Sequence, residues 1–144
     1  MVQINNGKEF DELLRNWKDT PQQTKKAFLQ LKDHLSQKTG LTLDFNARPG
    51  VTFSLRAKHV HQHQQPLFAM IDIIDDDPTS RWLSVCFYGE MISDPDDIGD
   101  FVPEGLLGED AHCFDIEAWD AELLGYVSAR LDEAFSIAAR KEAH

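Results

Sequence analysis

Apolar side chains spaced three and four residues apart predict two helices at the start of the chain. The first runs from about Lys8 to Asp19, and its apolar stripe repeats at i, i+3, i+4 and i+7. That stripe consists of Phe10, Leu13, Leu14 and Trp17. For the second helix, Thr20 is the expected N-cap, Pro21 takes the first helical position, and Gly40 marks the end.

From Leu41 onwards apolar and polar positions alternate, which is typical of half-buried strands. Two alternating segments, Leu41–Phe45 and Val51–Ala57, flank a Pro49-Gly50 turn and predict a hairpin. The apolar run Leu67–Ile74 and the segment Trp82–Tyr88 predict two further strands. Because the connections are short, we expect a four-stranded antiparallel meander rather than parallel strands joined by helices.

A long segment without a regular period separates this sheet from a final helix. Gly89–Asp115 is predicted to be a loop, and a helix with one apolar face runs from its cap, Asp115, to about Lys141. Since no repeat or linker is visible, residues 1–144 are predicted to form a single α+β domain. The two N-terminal helices and the C-terminal helix, which packs on the sheet, are expected to cover one face of it.

The composition is that of a folded domain, and the charge restricts its partners. Of the 144 residues, 42% are hydrophobic and 27% are charged, values that exclude general disorder. The net charge of −11 argues against nucleic acid or an anionic membrane surface as the main partner. No apolar run reaches the roughly 18 residues that a membrane span needs, so no membrane insertion is expected.

The N-terminus and the cysteines point to the cytoplasm. Residues Met1–Phe10 lack the basic segment and apolar run of a secretory signal. Cys86 and Cys113 are therefore expected to be free thiols in a reducing compartment, not bridged to each other. We predict a cytoplasmic protein.

Charge is divided unevenly along the chain. Residues Met1–Ile71 carry a net charge of +4, and residues Asp72–His144 carry −15. Such an asymmetry can steer the basic face of one molecule onto the acidic face of another, so a homodimer is one expectation. The simpler interpretation, which we favour, is that the two halves neutralise each other within one domain.

Several short motifs in the second half of the chain are similar to those of one protein family. They are Cys86-Phe87-Tyr88, Asp94-Pro95-Asp96 with Gly99, Pro103, Gly105–Asp110 and Cys113-Phe114-Asp115. The pattern resembles a small family of uncharacterised bacterial proteins of about this length. The resemblance implies a bacterial origin, and it transfers no activity, cofactor or catalytic residue.

The most site-like cluster consists of His59, His61 and His63. On an extended chain the three imidazoles point the same way at steps of about 6.6 Å, and neutral imidazole is a ligand for Zn, Cu, Ni or Fe. A transition-metal-binding protein or metal-dependent enzyme is therefore the alternative function. A polar loop in which the histidines bind nothing explains the same residues, and we favour it because a short histidine-rich tract is only a compositional hint.

The acidic residues of Gly89–Asp115 are the preferred binding candidates. Apolar residues recur through this segment, so we expect it to pack rigidly as an Ω-type loop that presents its carboxylates outward. Glu109 and Asp110 are the first candidates, and Asp94 and Asp96 are the next.

Motifs of the common enzyme classes are absent from the sequence. It contains no phosphate-binding glycine loop, Cys-x-x-Cys pair, nucleophile elbow or zinc-protease helix. The predicted function is that of a small cytoplasmic binding or accessory protein without catalytic activity or cofactor. Its partner is expected to be a protein or a small molecule.

Overall fold

The structure, a computed structural model, describes residues 4–141. Within this range the chain forms three α-helices and seven strands. The helices are α1 (Gly7–Asn16), α2 (Thr24–Ser36) and α3 (Ala121–Lys141). The strands are β1 (Ile4–Asn5), β2 (Leu41–Arg48), β3 (Thr52–His59), β4 (Ala69–Ile74), β5 (Trp82–Tyr88), β6 (Asp100–Leu106) and β7 (Glu109–Ile116). A short 3-10 helix, Gly89–Met91, follows β5.

The strands form one mixed sheet in the order β1-β2-β3-β4-β5-β7-β6. β1 runs parallel to β2, and the other neighbouring pairs are antiparallel. The expected four-stranded antiparallel meander is therefore wrong. Strands β2 to β5 occupy the four segments in which the sequence predicts strands, but β1 extends the sheet at one edge and the β6–β7 hairpin extends it at the other.

The segment Gly89–Asp115, expected to be an Ω-type loop, contains the 3-10 helix and most of the β6–β7 hairpin. Two features hide the hairpin in the sequence. The pairing of β6 is irregular between Val102 and Leu106, which breaks the two-residue alternation. Leu107 and Gly108, the two residues of its turn, have φ of 53° and 87°, whereas Asn-Gly is the usual signal for a turn of this kind.

The core lies between the sheet and the helices, which pack on one face. Phe10 of α1 contacts Phe45 of β2 edge-to-face, with ring centroids 5.2 Å apart. Phe135 of α3 contacts Phe68, next to β4, at 5.6 Å. The largest fully buried side chains are Phe28, Phe45, Phe68, Phe87 and Phe114. No helix of residues 4–141 covers the opposite face, which we call the helix-free face.

Two helices begin later than their expected caps indicate. Residues 17–23 form an irregular turn, so that α2 begins at Thr24 rather than directly after Thr20. Asp115 lies in β7, and α3 is capped instead by Asp120, whose carboxylate accepts hydrogen bonds from two backbone N–H groups of the first turn. Within residues 4–141 no helix combines the length and the apolarity that crossing a bilayer demands.

The two cysteines form a disulfide, so the expectation of free, unbridged thiols is wrong. The register of β5 and β7 places Cys86 directly opposite Cys113, with Cα atoms 4.2 Å apart. Both residues alternate with buried phenylalanines of the core, so they lie on the helix-free face. The bridge escapes sequence reasoning because Cys113 belongs to a strand that the sequence does not predict.

Charges of the two halves of the chain meet inside the domain. Asp132 of α3 pairs with His34 of α2, at 2.7 Å between Oδ1 and Nε2, and with the Lys38 ammonium. These contacts join a basic segment of the first half to one acidic residue of the second. They agree with the favoured interpretation of the charge asymmetry, in which the halves neutralise each other within one molecule.

Candidate functional site

The three clustered histidines do not lie along one extended strand. His59 is the last residue of β3, and the chain turns at once, because the Gln62 N–H donates to the His59 carbonyl oxygen at 2.9 Å. The His59 ring contacts Phe135 at 5.4 Å, and its Nδ1 accepts a hydrogen bond from the His61 N–H at 3.2 Å. His63 lies beyond this turn. Nowhere in residues 4–141 are three or more His, Cys, Asp or Glu side chains grouped so that they could hold a metal ion.

Asp94 is the centre of a hydrogen-bonded cluster rather than an outward-facing carboxylate. Its Oδ2 lies 2.8 Å from Nε2 of His112 on β7, and its Oδ1 accepts a hydrogen bond from the Tyr126 hydroxyl on α3. The backbone N–H groups of Ile98 and Gly99 donate to the same carboxylate at 3.1 and 2.9 Å. Asp94 therefore ties the loop before β6 to both β7 and α3.

The geometry around Asp94 needs both a small neighbour and an ionised carboxylate. A Cβ atom on Gly99 would lie 2.6 Å from His112 Nε2, closer than side chains approach each other, so only glycine fits. Burial alone would raise the pKa of Asp94, but the hydrogen bonds from Tyr126, His112 and the backbone lower it well below its ordinary value. The pKa of Tyr126 is raised, first by burial and then by its hydrogen bond to Asp94.

We expect Asp94→Asn to destabilise the protein by about 2 kcal/mol at neutral pH, because an amide donor replaces an acceptor oxygen. The pKa of Asp94 is lower in the folded chain than in the unfolded one. Its ionisation therefore stabilises the fold above the ordinary carboxyl pKa, and this contribution is lost as the pH falls below that value. Urea unfolding across the acid range should show a weaker pH dependence for Asp94→Asn, and no change for the exposed Asp96→Asn. Parallel curves for Asp94→Asn and the wild type would contradict the cluster's role.

Asp96 belongs to a shallow cleft beside the Asp94 cluster. The cleft has a volume of about 440 Å³ and lies between the loop before β6 and the first turns of α3. Its lining residues are Asp96, Ile98, Asp120, Glu122, Leu123 and Tyr126. The Asp120 carboxylate already caps α3, and the Tyr126 hydroxyl is bonded to Asp94. Much of the polar lining is thus used by the fold itself.

Glu109 and Asp110 lie at a different cleft, with a volume of about 750 Å³. It is formed where the end of β5, the 3-10 helix, the start of β7 and the segment between β3 and β4 come together. Its lining residues are Gln64, Gln65, Pro66, Tyr88, Gly89, Glu90, Glu109 and Asp110. The lining contains three carboxylates and two amides but no lysine, arginine or histidine. We call it the Tyr88 cleft.

One polar group of the Tyr88 cleft has no hydrogen-bond partner among residues 4–141. Asp110 Oδ1 accepts a hydrogen bond from the Glu104 N–H at 3.1 Å, and Gln65 Nε2 donates to Glu90 Oε1 at 2.7 Å. Tyr88, by contrast, is only 4% exposed, and its buried hydroxyl oxygen is unpartnered in the described part of the chain. Because buried polar groups are nearly always paired, this hydroxyl requires an explanation.

The surroundings of Tyr88 keep its hydroxyl protonated. Burial raises the pKa of this phenol, and the negative charges of Glu109 and Glu90 raise it further. At neutral pH the group therefore has one proton to donate and lone pairs that can accept a hydrogen bond.

Sequence reasoning finds only part of this cleft. Glu109 and Asp110 are predicted as binding residues from their place in an acidic segment. Tyr88 is not, because it only continues the alternation of a strand, and Glu90 carries no local signal of its own. Gln64–Pro66 lies far along the chain from Tyr88 and from Glu109, so its place at the cleft depends on the strand order of the sheet.

Comparisons of the chain with models of protein families, with curated proteins and with solved structures found no match. The resemblance to a bacterial family therefore stays an expectation.

Proposed function

We propose that the chain is a binding protein without catalytic activity and that the Tyr88 cleft takes a positively charged organic group of its ligand. The observation that carries the proposal is the buried, unpartnered hydroxyl of Tyr88 in a cleft lined by three carboxylates. A ligand with a hydrogen-bonding group provides the partner that residues 4–141 do not.

The negative charges of the cleft favour a ligand group with a positive charge. Glu90, Glu109 and Asp110 line it, and none of the lining residues is a lysine, an arginine or a histidine. A concave surface with charges of one sign focuses the electrostatic potential and concentrates ions of the opposite sign. The overall charge of −11 acts in the same direction at longer range.

An organic cation fits the cleft better than a metal ion does. A metal site needs several ligand atoms that converge on one point, and no set of three such residues converges in the described ranges. The two glutamine amides and the phenol add hydrogen-bonding groups that are spread around the walls. Spread polar groups suit a ligand with several atoms.

The Asp94–His112 pair supports a structural role more than a catalytic one. Pairs of this type occur in acid–base catalysis, where the histidine also contacts a nucleophile or a water. In the described residues the ring of His112 contacts Phe114, and its hydrogen bond is to Asp94. The neighbouring Cys113 is bridged to Cys86 on the opposite face of the sheet.

Titration with agmatine, which carries a guanidinium and an ammonium group, tests the proposal. Amide signals of residues 64–65, 88–90 and 109–110 should shift in nuclear magnetic resonance spectra, and the shifts should weaken as salt is added. Glutarate, a dianion, is the control and should leave these signals unchanged. Shifts elsewhere on the molecule, or none with agmatine, would contradict the proposal.

We also propose a cytoplasmic location, and cell fractionation tests it. Thiols are kept reduced in the cytosol, where disulfides are rare, so the Cys86–Cys113 bridge is the observation that counts against this location. Recovery of the chain in the cytosolic fraction is the expected result. Recovery from an oxidising compartment, with the bridge intact, would contradict it.

A further inference from the structure

The hydroxyl of Tyr88 indicates where a ligand binds, and its hydrogen-bonding chemistry also restricts which class of cation can bind there. The residue is 4% exposed, and its hydroxyl is a buried polar group of the Tyr88 cleft with no hydrogen-bond partner within residues 4–141. The chain's other tyrosine, Tyr126, is bonded through its hydroxyl to Asp94. The two tyrosines thus form a natural pair for comparison, one unsatisfied and one satisfied.

Charge alone does not distinguish one organic cation from another. The carboxylates of Glu90, Glu109 and Asp110 attract a primary ammonium, a guanidinium or a quaternary ammonium group. A quaternary ammonium group, however, has no N–H, so it leaves the Tyr88 hydroxyl unpaired. A site with a buried hydrogen-bonding group rejects an analogue that fails to pair with it, because the group then stays desolvated without compensation.

We infer that the Tyr88 cleft selects primary ammonium or guanidinium groups over quaternary ammonium groups and that the Tyr88 hydroxyl determines this selection by accepting a hydrogen bond from the ligand's N–H. The inference rests on the proposed function, since it names the class of cation that the same cleft takes. Tyr88 is accordingly a specificity-determining residue. The carboxylates supply a long-range electrostatic attraction that is common to all three classes, and they accept further hydrogen bonds from ligands with an N–H.

One contact at the Tyr88 cleft joins two of the segments that line it. Gln65 and Glu90 come from the β3–β4 connection and the 3-10 helix, and their side chains are joined by a 2.7 Å hydrogen bond. A cation that binds Glu90 therefore competes with the Gln65 amide for the same carboxylate.

The test compares three cations of matched chain length, butylammonium, butylguanidinium and butyltrimethylammonium, on the wild type and on Tyr88→Phe. In the wild type the first two should bind at least about tenfold more tightly than the third, the effect of one hydrogen bond to a charged group. In Tyr88→Phe this preference should fall about tenfold, and what is left comes from hydrogen bonds between the N–H groups and the carboxylates. The affinity for butyltrimethylammonium should stay the same, because it makes no hydrogen bond to the phenol.

Thermal unfolding of the unliganded variants provides a second readout. Tyr88→Phe removes a buried hydroxyl that has no partner, so its Tm should equal or exceed that of the wild type. The matched variant Tyr126→Phe removes a satisfied hydroxyl, so its Tm should fall. If the Tyr88 hydroxyl only supported the fold, Tyr88→Phe would lower the Tm as Tyr126→Phe does.

The outcomes separate the two proposals. If none of the three cations binds, the proposed function fails, and the inference fails with it. If the cations bind but the wild type does not discriminate among them, or if Tyr88→Phe keeps the discrimination, the inference is overturned and cation binding in the cleft stands.

Discussion

Replacing Asp75 by alanine is expected to lower the free energy of unfolding by about 3–5 kcal/mol, the usual cost of removing one partner of a buried ion pair. Asp75 Oδ1 accepts a hydrogen bond from Nε of Arg81 at 2.7 Å, and both side chains are nearly buried, at 4% and 11% exposure. Asp75 Oδ2 accepts a second hydrogen bond, also 2.7 Å, from the Gly50 N–H. One carboxylate thus joins the β2–β3 turn to the β4–β5 connection.

The large effect comes mainly from the arginine that the substitution leaves behind. The Arg81 side chain is only 11% exposed, so without Asp75 a largely buried charge loses its carboxylate. The Trp17 and Phe53 rings, 5.7 and 5.4 Å from the guanidinium, attract it and offset only part of that loss. Chemical unfolding of Asp75→Ala and of Asp76→Ala measures the difference. Asp76 is exposed, and its variant should stay within about 0.5 kcal/mol of the wild type. A loss below about 1 kcal/mol for Asp75→Ala would show that the pair contributes little.

Reduction of the Cys86–Cys113 disulfide is the second change with a large expected effect. The bridge closes a loop with a sequence separation of 27 residues. Opening it restores conformational freedom to the unfolded chain, which corresponds to a loss of about 3.5 kcal/mol in the loop-entropy model. Unfolding with and without a dithiol reductant measures the loss.

A double variant controls for effects of the reductant itself. Cys86→Ala/Cys113→Ala should be as unstable as the reduced wild type, and its stability should not change when reductant is added. Thiol titration of denatured, unreduced protein provides the direct check. No titratable thiols are expected in oxidised protein, and two per chain would contradict the bridge.

The elements that could be predicted from the sequence are those with an undisturbed period. The stripe from Phe10 to Trp17 indicates α1, and the alternation in Leu41–Phe45 and Val51–Ala57 indicates β2 and β3, because one face of each element enters the core. β1 has only two residues, Ile4–Asn5, too few to show a period. Its pairing with β2 depends on tertiary contacts alone.

The β6–β7 hairpin could not be predicted because its local signals contradict its structure. Pro103 and Gly105 are unfavourable in strands, and β6 tolerates them as an edge strand with an irregular register. Leu107 takes a left-handed conformation that leucine disfavours. Without β7 in the prediction, neither the disulfide nor the neighbours of Glu109 could be found.

The candidate site was predictable in its charge and not in its geometry. An acidic segment rich in apolar residues indicated Glu109 and Asp110 together with Asp94 and Asp96. The structure separates these two pairs, and it buries Asp94 among hydrogen-bond donors of the fold. The Tyr88 hydroxyl points to a binding site only because it is buried without a partner in the described residues, and its burial cannot be inferred from the local sequence.

Agmatine binding, measured by calorimetry on two charge-matched variants, tests most directly whether the carboxylates of the Tyr88 cleft bind a cationic group. Glu109→Gln/Asp110→Asn removes two charges from the cleft, and Asp96→Asn/Asp97→Asn removes two exposed charges elsewhere. Both variants should keep the wild-type Tm. We expect the cleft variant to bind agmatine at least about tenfold more weakly than the wild type. The affinity of the control variant for agmatine should change by less than about twofold. Equal losses in both variants, or undiminished binding in the cleft variant, would contradict this expectation.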